Sequence, residues 1–249
     1  VKLQVDSRLR DLLELLSAYG LILAVIWTPM PAQRVFYWIA IIVVIGITVL
    51  RREKLQSLGL APAGTKRSLW IVAVAIGLAG LTVIVAGYFG TLHGLPRIGH
   101  LSLRTRVTGY LIWSFVQEFL LQVFVLARLL RLLAKRSLAI VVAALLFATA
   151  HIPNPVLIGL TLLWALIACP LFLRYRNLYA LGLAHGILGL CVAITVPDAL
   201  HHHMRVGLGY LRYQPHHHIQ RRSAPHKVST HAWVMDEAAI RLPARQAHP

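Results

Sequence analysis

The sequence predicts an all-α, polytopic bundle of transmembrane helices, about seven spans, followed by a disordered C-terminal tail. Two observations predict it. Of 249 residues, 58% are hydrophobic and only 13% are charged, against roughly 25% charged in a soluble domain. The charges are also segregated: Lys and Arg are absent from Ser68 to Pro96, from Val107 to Ala127, from Ser137 to Leu173 and from Asn177 to Met204. Apolar runs of that length are what a hydrocarbon core about 30 Å thick selects. A helix satisfies its own backbone there and leaves no open edge.

The expected spans cover about 11–28, 36–50, 69–90, 108–130, 138–152, 156–173 and 178–197. The first run follows Asp11, contains Glu14 and has no small-residue cleavage site after it, so it reads as a span and not as a signal peptide. The second is short and fits little tilt or a partly interfacial position. The fourth carries Glu118. The fifth ends early at Ile152-Pro153-Asn154-Pro155, because proline lacks the ladder N–H and disfavours a helical residue before it. Trp27, Trp38 and Trp70, near span ends, fit interfacial anchoring. Cys169 and Cys191 each lie alone in an apolar run and read as small packing residues. The segment Met204–Tyr213 mixes aromatic, apolar and basic residues and is expected to lie on the membrane surface. From Gln214 onward Pro, His, Arg, Ser and Ala dominate, which predicts disorder. The histidine triplets at 201–203 and 216–218 read as interfacial or disordered tracts, since adjacent histidines on one backbone rarely face a single ion.

The formal net charge of +17 is a topology signal and not a nucleic-acid footprint. Fourteen Lys and Arg residues lie in the N-terminal tail, the 51–67 loop, the 128–136 segment and the 174–176 turn, whereas the opposite loops hold Arg34, Arg97, Arg104 and Arg106. The positive-inside rule puts the first set, and the N-terminus, in the cytoplasm, where these residues can meet anionic lipid head groups. A seven-span count places the tail on the outer side. The expected location is the inner (plasma) membrane of a bacterium. Three regions follow: N-terminal transmembrane helices over 1–104, a core over 105–197, and an interfacial segment with a basic tail over 198–249.

Titratable groups at bilayer depth are costly and mark function by default. Glu118 is the one acidic residue between Glu53 and Asp198. Gln117 is its neighbour, and Gln122 lies one turn on along the same face. His151 ends the fifth span and His185 lies inside the seventh. At 1.5 Å per residue from the cytoplasmic ends, Glu118 lies at roughly 15 Å, His151 at roughly 21 Å and His185 at roughly 12 Å. The three can therefore meet in one cavity, with His151 beside a helix break of the kind tolerated only in buried or wet surroundings. A carboxylate and an imidazole can take a proton from water, and a second imidazole can bind an oxyanion. The same three groups are also possible zinc ligands or a proton relay in a carrier, though the paired broken helices of carriers are not evident.

At these residues the chain resembles the CPBP intramembrane protease family, also called the Abi or type II CAAX prenyl endopeptidase-like family. Its motifs are Glu-Glu-x-x-x-Arg, Phe-x-x-x-His, and His followed four residues later by Asn or a small residue. Here they correspond to Gln117-Glu118-Phe119-Leu120-Leu121-Gln122, to Phe147-Ala148-Thr149-Ala150-His151, and to His185-Gly186-Ile187-Leu188-Gly189. The resemblance covers roughly 105–197. It implies hydrolysis of membrane-embedded or prenylated peptides by Glu- and His-activated water without an obligatory metal, although members are often described as metalloproteases. Carried over, Glu118 is the general base or its partner, His151 holds the water and His185 binds the oxyanion, with Gln117, Gln122 and Asn154 orienting the site. No cofactor is expected; a zinc ion, if present, would sit on Glu118, His151 and His185. The chain departs from the pattern at Gln117, where the family has its first Glu, at Gln122, where it has Arg, and at Gly189, where it has Asn. A Gln122 facing Gln117 would replace an ionic pair by a neutral one. A non-catalytic binding protein on the same fold is the alternative.

Overall fold

The computed structural model describes residues 2–61, 65–95 and 101–214. Helices occupy every stretch predicted to be helical. They are α1 (Lys2–Trp27), α2 (Ala32–Leu50), α3 (Thr65–Phe89), α4 (Leu103–Glu118), a π-helical segment (Phe119–Leu126) that runs on into α5 (Ala127–Leu132), α6 (Arg136–Thr149), α7 (Pro155–Tyr175) and α8 (Leu178–Thr195). Two short helices, α9 (Asp198–His201) and α10 (Gly207–Leu211), follow, with a 3-10 turn at His202–Met204 between them. Among the described residues there is no strand.

Among the described residues five helices are long and apolar enough to cross a membrane: α2, α3, the continuous rod Leu103–Leu132, α7 and α8. The chain is thus a multi-pass membrane protein, and the count of seven is not reached for two physical reasons. At 14 residues, α6 rises only about 21 Å, because the proline-containing turn stops it. Helix α1 carries Arg8, Arg10, Asp11 and Glu14 in its first half.

Those acids do specific work. Asp11 pairs with Arg51 (2.5 Å) and Arg131 (2.9 Å), and Glu14 pairs with Arg51 (3.0 Å), Arg128 (3.3 Å) and Arg10 (3.1 Å). Arg128 is almost fully buried; its guanidinium also donates to the carbonyls of Val123 and Phe124 and lies 3.7 Å from the centre of the Phe124 ring. Three of the basic residues counted as topology signals therefore tie α1, the end of α2 and α5 into one ion network. Burial by itself would raise the Glu14 pKa, but hydrogen bonds from Arg51 and Arg10 and the charges of Arg51 and Arg128 outweigh it and hold the carboxyl below its ordinary range.

Lipid tails are as apolar as leucine, so helices associate through close packing of small residues. Ala139, Ala143 and Ala144 of α6 and Ala165, Ala168 and Cys169 of α7 are fully buried in one core. Cys169 and Cys191 are free and buried. Helix α8 packs on α4 through Gly182, Gly186 and Gly189, where a Cβ would run into Phe115, Leu111 and Tyr110 respectively. Side-chain caps set the entry of the last two long helices. Asn154 accepts from the Leu157 N–H to start α7, and Asn177 accepts from the Ala180 N–H to start α8.

The segment after α8, which includes the Met204–Tyr213 stretch expected at the membrane surface, turns back onto the bundle. His202, His203 and Met204 all have left-handed backbone (φ 47°, 55° and 60°), which folds the chain back on itself. Helix α10 then packs on α1, the Gly207 N–H donates to the Ile152 carbonyl, and the His202 ring stacks on Tyr210 and Tyr213. Of the tail expected to be disordered, only Gln214 is described; the rest, including the triplet at 216–218, lies outside the described residues.

Candidate active site

The last turn of α4 and the π segment present Gln117, Glu118 and Gln122 together. A π segment is a widened turn that recurs at functional sites, and here it begins directly after Glu118. The Glu118 carboxylate has no exposed surface. Three donors from three helices converge on it. Trp164 Nε1 of α7 (2.5 Å) and His185 Nδ1 of α8 (2.9 Å) meet Oε1, and Gln122 Nε2 (3.1 Å) meets Oε2. Gln122 thus pairs with Glu118, and the expected Gln122–Gln117 pair is not formed. Gln117 points instead to His151, with its Nε2 3.5 Å from the imidazole Nε2.

The tautomers follow from the partners. A backbone carbonyl only accepts, so His151 Nδ1, 2.7 Å from the Phe147 carbonyl, carries hydrogen, and its Nε2 is an open acceptor facing Gln117. His185 Nδ1 lies against the Glu118 carboxylate, and the tautomer that donates there leaves Nε2 as the free nitrogen. The Phe147 ring touches both imidazoles edge-on, with centroids 5.1 Å from His151 and 6.1 Å from His185.

An apolar cavity of about 1530 Å³ opens beside this cluster. Gln117, His151, His185 and Trp164 line it, together with aromatic residues such as Trp113 and Phe119; Glu118 and Gln122 lie behind that wall. The histidines therefore face the cavity, and Glu118 touches its wall at His185 and Trp164.

Asn154, expected to orient the site, spends its side chain elsewhere. Besides capping α7, it donates to the carbonyls of His201 (2.8 Å) and Arg205 (2.9 Å), fastening the segment after α8 to the turn that follows His151. Trp164 was not singled out from the sequence. Its signal was an indole in the middle of a span, far from the interface, where the N–H must find a partner. Tyr110 was missed too. Its hydroxyl stands where a side chain at position 189 would be, and so fills the place that the resemblance gives to Asn.

A metal does not fit Glu118, His151 and His185. Both carboxylate oxygens already receive N–H donors, and among the described residues the ligand atoms of these three groups do not gather around a common point.

Residues 99–191 match the family of type II CAAX prenyl endopeptidase Rce1-like proteins. The chain thus carries an Rce1-like segment over those residues. No curated protein and no solved structure matches it. The Rce1-like segment contains Gln117, Glu118, Gln122, His151 and His185, and also Phe147, whose carbonyl His151 meets. Its Trp164 and Tyr110, which complete the cluster in space, are inside the same limits. The Rce1-like match supports a CAAX-protease-like function in general terms.

Proposed function

We propose that the chain is an intramembrane endopeptidase that hydrolyses membrane-embedded or prenylated peptides. The observation that carries the reading is the Glu118–His185 contact at 2.9 Å, with the second imidazole and the Gln117 amide on the same cavity wall. Glu118 holds His185 in one tautomer and stabilises the imidazolium, as a buried carboxylate does for a catalytic histidine. His185 Nε2 takes a proton from water while the water oxygen bonds to the peptide carbonyl carbon. His151 Nε2 accepts from that same water and aims it. The Gln117 amide donates to the oxygen that becomes negative. The C–N bond then breaks, and the proton held on His185 passes to the leaving nitrogen. Glu118 and Gln122 are positioning residues in this scheme, and no step passes through a metal.

The cavity's chemistry supports an apolar, lipid-like substrate group beside the peptide, in a protein surrounded by lipid. The basic loops support a cytoplasmic N-terminus in a bacterial inner membrane. A second reading, a non-catalytic binder on the same fold, is favoured by Gln117 at the family's Glu position. The two separate in one experiment with the full chain in detergent and a set of prenylated and transmembrane peptides. The protease reading expects cleavage by wild type that disappears in His151→Ala. Peptides that bind but are never cut, or cleavage that survives in that variant, would remove it.

A further inference from the structure

A second cluster of ligand-type side chains lies away from this site, at the end of the bundle opposite the basic loops. Helix α3 leaves the 51–67 loop and α8 leaves the 174–176 turn, so the residues just beyond their far ends meet on the other side. His93 follows α3, and Asp198 and His201 form the ends of α9. The ligand atoms of His93, Asp198 and His201 all lie within 4.8 Å of one another. His93 Nε2 is 3.7 Å and His201 Nε2 3.9 Å from Asp198 Oδ1, and His203 Nδ1 is 2.8 Å from the same oxygen.

Four features distinguish this cluster from a surface coincidence. His93 Nε2, Asp198 Oδ1 and His203 Nδ1 are buried from solvent, and none has an aligned hydrogen-bond partner. Buried polar atoms without a partner cost free energy and call for an explanation such as an ion. His93 Nδ1 is 2.9 Å from the Thr91 carbonyl; that carbonyl fixes the hydrogen on Nδ1 and turns the Nε2 lone pair toward Asp198, the outer-shell arrangement usual for a histidine ligand. The backbone is anchored as well, since the His93 N–H donates to the Ile194 carbonyl. The left-handed residues at His202 and His203 bring His201 and His203 to one oxygen although both lie on a single short stretch of backbone.

We infer that His93, Asp198, His201 and His203 form a binding site for a divalent ion of the zinc class. Three imidazoles and one carboxylate are a borderline-soft, four-donor set that suits Zn²⁺ and its first-row neighbours and not Mg²⁺ or Ca²⁺. His201 Nε2 donates to the Val196 carbonyl at 2.8 Å and Nδ1 accepts from the Met204 N–H at 3.1 Å; ion binding takes the other tautomer, in which the hydrogen sits on Nδ1, the Met204 N–H is released and the Nε2 lone pair meets the ion. The site's position gives it a consequence. The His201 carbonyl accepts from Asn154, three residues past His151, and the segment after His201 lines the large cavity through Met204, Arg205 and Val206. An ion here pins that segment to the end of α3 and closes it over the turn beside His151.

The test is Zn²⁺ titration of the full chain by calorimetry, with Co²⁺ as a spectroscopic probe. All proteins carry His216→Ser, His217→Ser and His218→Ser so that the tail triplet does not contribute. The site predicts one tight Zn²⁺ per chain and the strong visible absorption of tetrahedral Co²⁺. It predicts loss of more than about 100-fold in affinity in His93→Ala and in the near-isosteric Asp198→Asn, beyond what loss of an outer-shell partner costs. Binding should be unaffected in His151→Ala, which separates this site from the cavity cluster whether or not that cluster cuts peptides. Absence of tight Zn²⁺ binding, binding that survives in Asp198→Asn, or binding lost in His151→Ala instead would overturn the assignment.

Discussion

His185 Nδ1 lies 2.9 Å from Glu118 Oε1, and the carboxylate behind it is completely buried. The pair belongs to two different helices, α4 and α8, that are held together where Gly182, Gly186 and Gly189 accept Phe115, Leu111 and Tyr110. Helix packing and site geometry are therefore one construction. Small residues on α8 let α4 come close enough for its carboxylate to reach the α8 imidazole, while Trp164 and Gln122 donate to the same carboxylate.

Gln117→Glu puts a carboxylate where the account needs an amide donor. A carboxylate cannot donate to a developing oxyanion, so peptide hydrolysis should fall by about 10²–10³-fold, the usual effect of deleting one such donor. The rate at saturating peptide is the readout. A gain in rate would instead assign the general base to position 117 and remove Gln117 from the oxyanion role.

Gly189→Ala should destabilise the protein by about 1–3 kcal/mol, as overpacking of a well-filled contact does, because the new methyl meets the Tyr110 hydroxyl and ring edge. Tyr110→Phe in the same chain should restore part of the loss. Cys169 and Cys191 are free and buried, so thermal unfolding can be followed in detergent with a thiol-reactive dye. Equal stability of wild type and Gly189→Ala would show that α4 and α8 are not in close contact there.

The ion network at the charged end of α1 gives a pH dependence with a definite sign. Glu14 lies outside the five spanning helices, and its carboxyl is held below the ordinary range, burial opposing this and its arginine partners prevailing. Its contribution is fully present above the unfolded-state value of about 4.3 and is lost as the pH falls through the lower folded value. The acid limb of the thermal-stability profile should thus flatten in Glu14→Gln. At neutral pH that variant should lose about 3 kcal/mol, since Arg51 and Arg128 are left short of a partner in a buried place. An unchanged acid limb would mean that the network does not couple to folding.

Much of this molecule could be read before the structure. The helices and the loops between them follow from apolar runs and segregated charge. Glu118, His151 and His185 stood out because so few titratable groups interrupt those runs. What could not be read was which residues far apart in sequence would meet. Trp164 and Tyr110 are ordinary in an apolar span until packing sets one against Glu118 and the other against Gly189. Asp11 pairs with Arg131, 120 residues away, so a charge that looked like a loop signal is structural. Asn154 looked like a site residue because it neighbours His151, yet it caps α7 and holds the segment after α8. Left-handed backbone at three successive non-glycine residues, which arranges the 201–203 histidines, has no signature in composition.

The most direct test of the account is the catalytic efficiency of Glu118→Gln against wild type on a peptide that wild type cleaves, with thermal stability measured alongside. Gln keeps the shape of the side chain and one acceptor oxygen but removes the charge that fixes and stabilises the His185 imidazolium. The account predicts that kcat/KM falls by about 10³-fold or more, as when a catalytic histidine loses its carboxylate, while the unfolding temperature stays close to that of wild type. Unaltered cleavage in a folded Glu118→Gln protein would contradict it.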